Sequence, residues 1–107
     1  MSQRKIKKVI SSIQAFLVNR GIKVDQVILF GSYAKKTNTK DSDVDIAIIS
    51  RDFEHKDIFK RSQMLQGLEW SLVREFHLPF DIVPVSLNEW KKSTSMLVHF
   101  VKETVLN

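Results

Sequence analysis

The stretch Phe30-Gly31-Ser32-Tyr33-Ala34-Lys35-Lys36-Thr37-Asn38-Thr39-Lys40-Asp41-Ser42-Asp43-Val44-Asp45 decides how the rest of the chain is read. It opens as the apolar run Val27-Ile28-Leu29-Phe30 ends, and it closes as the run Ile46-Ala47-Ile48-Ile49 begins. The two runs read as buried strands, joined by a Gly-Ser turn, a short helical segment and a polar loop. Residues i and i+2 of a strand share a face, so Asp43 and Asp45 are expected side by side, roughly 7 Å apart along the strand. Carboxylates so placed repel each other unless a cation sits between them. Mg²⁺ suits such a place, since it takes oxygen ligands, commonly one or two carboxylates plus substrate phosphates. Gly31 would let a phosphate come close to the backbone, and Ser32 adds a hydroxyl where a helix begins and anions are favoured.

Gly31-Ser32 after an apolar strand, with Asp43-x-Asp45 opening the next one, resembles the signature of the DNA polymerase β-like nucleotidyltransferase superfamily. More narrowly, the chain resembles the minimal nucleotidyltransferases of bacteria and archaea. These include the antitoxin partner of HEPN-domain toxins and the nucleotide-binding subunit of two-component nucleotidyltransferases. The resemblance spans the stretch from Val27 to Val85. It implies that Asp43 and Asp45 hold the Mg²⁺ ions of a two-metal site, with ATP as substrate. Asp81 would be the third carboxylate, and Gly31 and Ser32 would contact the β- and γ-phosphates. Lys35 and Lys36 also lie where they could neutralise phosphates. Here the chain departs from the family, which commonly reads Gly-Ser-x-Ala-Arg-Gly. Lys35 keeps the charge of the Arg but loses its planar fork, and Lys36 stands where a flexible glycine is usual.

Composition sets the outer bounds. The 107 residues suit one domain, and 43% hydrophobic with 27% charged residues is a globular balance. Cysteine is absent, which excludes a disulfide framework and a thiolate zinc site. The apolar runs are far too short to span a bilayer. The basic start, Met1 to Lys5, leads into an amphipathic pattern and not into a signal peptide, so a cytoplasmic location is expected. The formal net charge of +5 favours anionic partners. The linear sequence has no Arg-Gly-aromatic signature and no basic-aromatic interleaving, so direct nucleic-acid binding is not indicated. No Walker A pattern is present, which argues against a P-loop ATPase.

Taken in order, Ser2 to Asn19 reads as a helix. Ile6, Val9, Ile10, Ile13, Phe16 and Leu17 form its apolar stripe, Arg4, Lys5, Lys7 and Lys8 lie opposite, and Gly21 stands as C-cap. Val27 to Gly31 reads as the first strand, Ser32 to Lys36 as a short helix and Thr37 to Ser42 as a loop. Asp43 to Ser50 is the second strand, apolar without alternation and so covered on both faces. Asp52 to Phe76 reads as one long helix with Ile58, Phe59, Leu65, Leu68, Leu72 and Phe76 in its stripe, although Gly67 weakens it. Trp70 is expected in a core or an interface. Phe80 to Val85 is a third strand carrying Asp81, and Pro84 assigns it to an edge or a strand end. Ser86 or Asn88 is expected to cap a short turn containing Trp90. Thr94 to Leu106 reads as a last helix with Met96, Leu97, Phe100, Val101 and Val105 inward. His55, His77 and His99 are expected at surface or helix-end positions, without a role.

The expected architecture is therefore a two-layer α/β (α+β) domain over residues 1–107. It has a small mixed sheet, helices packed on it and an acidic cluster at one edge, a nucleotidyltransferase-like fold. The leading functional expectation is Mg²⁺-dependent transfer of AMP from ATP to a hydroxyl. By resemblance, the acceptor would sit on a separate small helical protein, either a HEPN-type toxin or a substrate-binding subunit. The alternatives are a non-catalytic, toxin-neutralising subunit, and a nucleotide-binding subunit that modifies a small molecule. Acceptor, nucleotide preference and oligomeric state are not written in the sequence.

Overall fold

A computed structural model describes residues 1–93 and 95–105. The order is α1 (Gln3–Val18), β1 (Gln26–Phe30), α2 (Gly31–Lys35), β2 (Val44–Ser50), α3 (Ile58–Met64), α4 (Leu68–Phe76), β3 (Phe80–Ser86), α5 (Leu87–Lys92) and α6 (Met96–Thr104). The strands form one mixed sheet in the order β1-β2-β3, with β1–β2 antiparallel and β2–β3 parallel. The mixed α/β architecture expected from the sequence is the one observed.

Helix α1 begins at Ser2, whose side chain accepts from the Lys5 N–H. It ends through Gly21, with Gly21 N–H donating to Val18 O and Ile22 N–H to Leu17 O. Its buried residues Val9, Ile13 and Leu17 join one core with Leu29, Val44, Ile46, Ile48, Leu68 and Leu72. The opposite face of the sheet carries a second core, in which Ala47, Ile49 and Val85 meet Val98 and Val101 of α6. Strand β2 is thus covered on both faces, as its unbroken apolar run required.

Strand β3 lies at the sheet edge and tolerates Pro84 for a visible reason. The Pro84 carbonyl faces the Arg61 guanidinium at 3.4 Å, so this residue turns its backbone polar side away from β2. The N–H that proline lacks would have pointed outward too, and the β2–β3 ladder loses nothing.

Three expectations need correction. The helix read over Asp52–Phe76 is broken. A 3₁₀ turn at Arg51–Phe53 buries Phe53, α3 follows, and Gly67 at φ +88° separates it from α4. A side chain at Gly67 would have room, since its nearest neighbours lie at 3.6 and 3.7 Å; only the left-handed backbone demands glycine. The break lets Leu65, Leu68, Leu72 and Phe76 reach the core but leaves Ile58 and Phe59 exposed. Trp70 is not in the core either, being 66% exposed. The inward face of α6 is Val98, Val101 and Thr104, while Met96, Leu97 and Phe100 are exposed. Thr94 and Leu106, the expected ends of that helix, lie outside the described residues. The caps fared better: Ser86 caps α5, accepting from Glu89 N–H. His77 ends α4, and His55 and His99 are exposed.

Lys36 ends α2 in the left-handed region at φ +62°, the conformation glycine adopts without cost. Its side chain is exposed, so no packing opposes a change. Lys36→Gly is expected to raise stability by about 0.5–1 kcal/mol, the relief of strain being partly offset by the freer unfolded chain. The urea-unfolding midpoint measures this.

Candidate active site

Strand directions bring the motif together. Strand β1 runs antiparallel to β2, and its last residue, Phe30, pairs with Asp45. The turn at Gly31-Ser32 therefore sits at the end of the sheet where β2 begins. Strand β3 is parallel to β2 and starts at the same end, with Asp81 opposite Asp45 in register. Paired residues on neighbouring strands are about 4.8 Å apart. Asp45, Asp81 and the Gly-Ser turn thus share one corner, although 36 residues of sequence separate the two aspartates. Asp43 lies one residue ahead of β2, where strand alternation no longer fixes its direction. It borders an open depression of about 580 Å³ with Glu69, Val73 and His77.

The electrostatics at Asp45 show how close the charges are. Its carboxyl is held above the usual carboxylate range, first by burial, then by the charge of Asp81, then by that of Asp43. The two ion pairs among the described residues, Arg51–Asp25 and Arg61–Glu89, lie elsewhere and leave this cluster uncompensated. The donor set is entirely carboxylate, the chemistry of a hard divalent cation, and a cation would relieve the repulsion at Asp45. Among the described residues no three His, Asp or Glu side chains converge closely enough to form a metal site by themselves. Mg²⁺ commonly takes only one or two protein carboxylates and fills its other positions with water and phosphate oxygens.

Gly31 is fitted to Asp45. It adopts φ +74°, and a Cβ placed there would lie 2.2 Å from Asp45 Oδ2 and 3.0 Å from its Cγ. Only glycine allows the turn and the carboxylate to occupy this space together. Ser32 is half-buried in the first turn of α2, while Lys35, its last residue, and Lys36, its C-cap, are exposed.

One participant was missed by sequence reasoning. The Gly31 N–H donates to Thr104 Oγ1 at 3.0 Å in a buried contact, and Thr104 Oγ1 donates in turn to Phe100 O at 2.9 Å. This N–H serves the fold, so Ser32 and the later amides are the ones left for an anion. The bond spans 73 residues, and a threonine in a last helical turn carries no local signal of such a role. Thr104→Val keeps the shape but leaves the buried N–H unpaired, at a cost of about 1–3 kcal/mol. Thr104→Ser keeps the acceptor and is expected to lose less. Chemical denaturation of the two variants separates bond from bulk.

Against known families, residues 4–106 match the nucleotidyltransferase domain. The chain belongs to this family. The nucleotidyltransferase fold is also seen in a solved structure, a provisionally assigned nucleotidyltransferase from Sulfolobus solfataricus. It superposes with a TM-score of 0.59 at 20% identity, covering 84% of this chain and 75% of that one. No curated protein matches the chain. No helix among the described residues is long and apolar enough to cross a membrane. The nucleotidyltransferase match takes in the whole Gly31 to Asp81 constellation.

Proposed function

We propose that this nucleotidyltransferase transfers AMP from ATP to a hydroxyl group presented by a partner protein. The observation that carries the reading is the Asp45–Asp81 register beside the Gly31-Ser32 turn, with the charge of the corner uncompensated. Asp43, Asp45 and Asp81 would hold Mg²⁺, which, when bound, stabilises negative charge on the attacking and leaving oxygens and lowers the pKa of the acceptor hydroxyl. Gly31 keeps Asp45 in place by leaving room for it. Ser32 offers its hydroxyl and the start of α2 to the phosphates, and Lys35 and Lys36 add charge nearby. Of the three histidines, His77 shares the depression beside Asp43, and none is assigned a part in the reaction. The partner reading, with a small helical HEPN-type or substrate-binding protein as acceptor, is supported by α6. This helix exposes Met96, Leu97 and Phe100 while its Thr104 holds the Gly31 turn.

The test is label transfer from ATP in Mg²⁺, with and without the product of any neighbouring small helical reading frame. Label from the α-phosphate is expected on the acceptor. Label from the γ-phosphate would mean phosphoryl transfer and overturn the reading. A tight complex without any transfer would leave a binding subunit.

A further inference from the structure

The fold sets the basic face of α1 beside α4 and makes there a groove that the linear sequence does not show. Arg4, Lys7 and Lys8 of α1 line an open groove of about 580 Å³ with Ser11, Ser12 and Glu75 of α4. Lys5 borders an adjoining depression with Arg4, Lys8 and Glu75. Neither ion pair among the described residues involves these four cations. The nearest carboxylate, Glu75, accepts from Ser12 Oγ at 2.8 Å, which orients it but leaves the cations in excess. Folding gives no reason for this crowding: the first turn of α1 holds no acidic residue, and cations near a helix start oppose the macrodipole. A separate depression on α4, lined by Trp70, Ser71, Arg74 and Glu75, shares Glu75 with the groove. Trp70 lies one helical turn from Arg74, so an indole face and a guanidinium stand together on the surface.

An exposed indole beside a line of unpaired cations is the pattern that holds a nucleic-acid strand, with phosphates on the cations and a base stacked on the ring. We propose that the α1–α4 face binds the backbone of a single-stranded nucleic acid. A membrane surface fits less well. Val9, Ile13 and Leu17 of α1 are buried in the core, and the other large exposed apolar side chains are scattered over Met1, Val18 at the far end of α1, α3 and α6. A lone Trp70 with no apolar band around it gives no wedge for insertion. The proposal does not rest on catalysis, because the groove contains none of Asp43, Asp45 or Asp81.

The test is fluorescence anisotropy of a labelled, unstructured 20-nucleotide RNA without ATP or Mg²⁺. With four phosphate contacts, affinity is expected to fall about 50-fold between 50 and 200 mM salt, from a slope near −0.7 per contact. Lys7→Ala/Lys8→Ala should weaken binding about tenfold or more and reduce the slope by about 1.4. Trp70→Ala should weaken it at least about fivefold with the slope unchanged. Lys91→Ala/Lys92→Ala on α5 removes equal charge and should leave affinity within about twofold of the parent. Equal losses in the α1 and α5 pairs would reduce the effect to net charge and overturn the proposal. So would no RNA binding at 50 mM salt, or binding to phosphatidylserine vesicles in its place. Transfer activity could fail while RNA binding persists, or the reverse, so the two readings fail separately.

Discussion

Asp45→Asn is expected to lower nucleotidyl transfer on the order of 10²–10³-fold while making the protein harder to melt. The amide has the size of the carboxyl but cannot carry its charge, so on the proposed reading the centre that would stabilise developing phosphate charge loses a ligand. The stability change runs the other way. Asp45 has a folded-state pKa raised above its unfolded value, so its contribution to stability is fully present only below the unfolded pKa, and it is lost as pH rises through the raised one. At neutral pH the parent bears the whole penalty of a half-buried carboxylate facing Asp81 and Asp43, and Asn removes it. The D45N variant should therefore melt a few degrees higher at pH 7, and the gap should close as pH falls toward the carboxylate range. Mg²⁺ should narrow the gap from the other side, by stabilising the parent more than the variant. Calorimetry at several pH values, with and without Mg²⁺, reads all of this. A parent that melts higher than D45N at pH 7 without Mg²⁺ would mean that the carboxylate already has a compensating partner.

Gly31→Ala carries the second large effect. The methyl would meet Asp45 Oδ2 at 2.2 Å, and the residue would have to hold φ +74°. The strained backbone alone costs about 1–3 kcal/mol. Asp45 could rotate away from the methyl, but its Cβ at 3.3 Å also crowds the site, and a rotated carboxylate leaves the corner where it is needed. Destabilisation of about 2 kcal/mol and loss of transfer on the order of 10²-fold are expected together. A double-mutant cycle with Asp45→Ala tests the cause. Removing the carboxylate should return part of the stability lost in Gly31→Ala, giving a clear coupling term, and should return none of the transfer. Strict additivity would mean that backbone strain, and not the contact with Asp45, is the whole effect.

These residues were legible in the sequence because their signal is local. A glycine-serine pair ending one apolar run and two aspartates at the start of the next stand out without tertiary information, although Asp43 falls just ahead of β2, where strand geometry does not fix its direction. Asp81 was assigned only through the family resemblance and the company of Asp43 and Asp45; its place opposite Asp45 comes from the sheet register, which no local signal gives. The misreadings came where two answers share one periodicity. In α6 the apolar residues surround the helix, so spacing alone could not choose between a Met96–Leu97–Phe100 face and a Val98–Val101 face. The choice is made by the sheet and by the Thr104–Gly31 bond, both distant in sequence. In residues 52–76 the apolar period survives the break, because Gly67 redirects the chain without shifting the stripe from Leu65 to Phe76. The cations of α1 were legible as its polar face, but nothing local joins them to Trp70, Arg74 and Glu75, more than 60 residues away.

Pro84 and Arg61 have a consequence for assembly. A free sheet edge invites another strand to extend it, and proteins with such edges polymerise or recruit extended peptides. Midway along β3 one backbone donor does not exist and the matching acceptor is occupied by a guanidinium that is itself anchored to Glu89 at 2.5 Å. At Pro84 the edge offers an added strand neither a donor nor a free acceptor, so a peptide extending the sheet would lose its backbone bonds midway along β3.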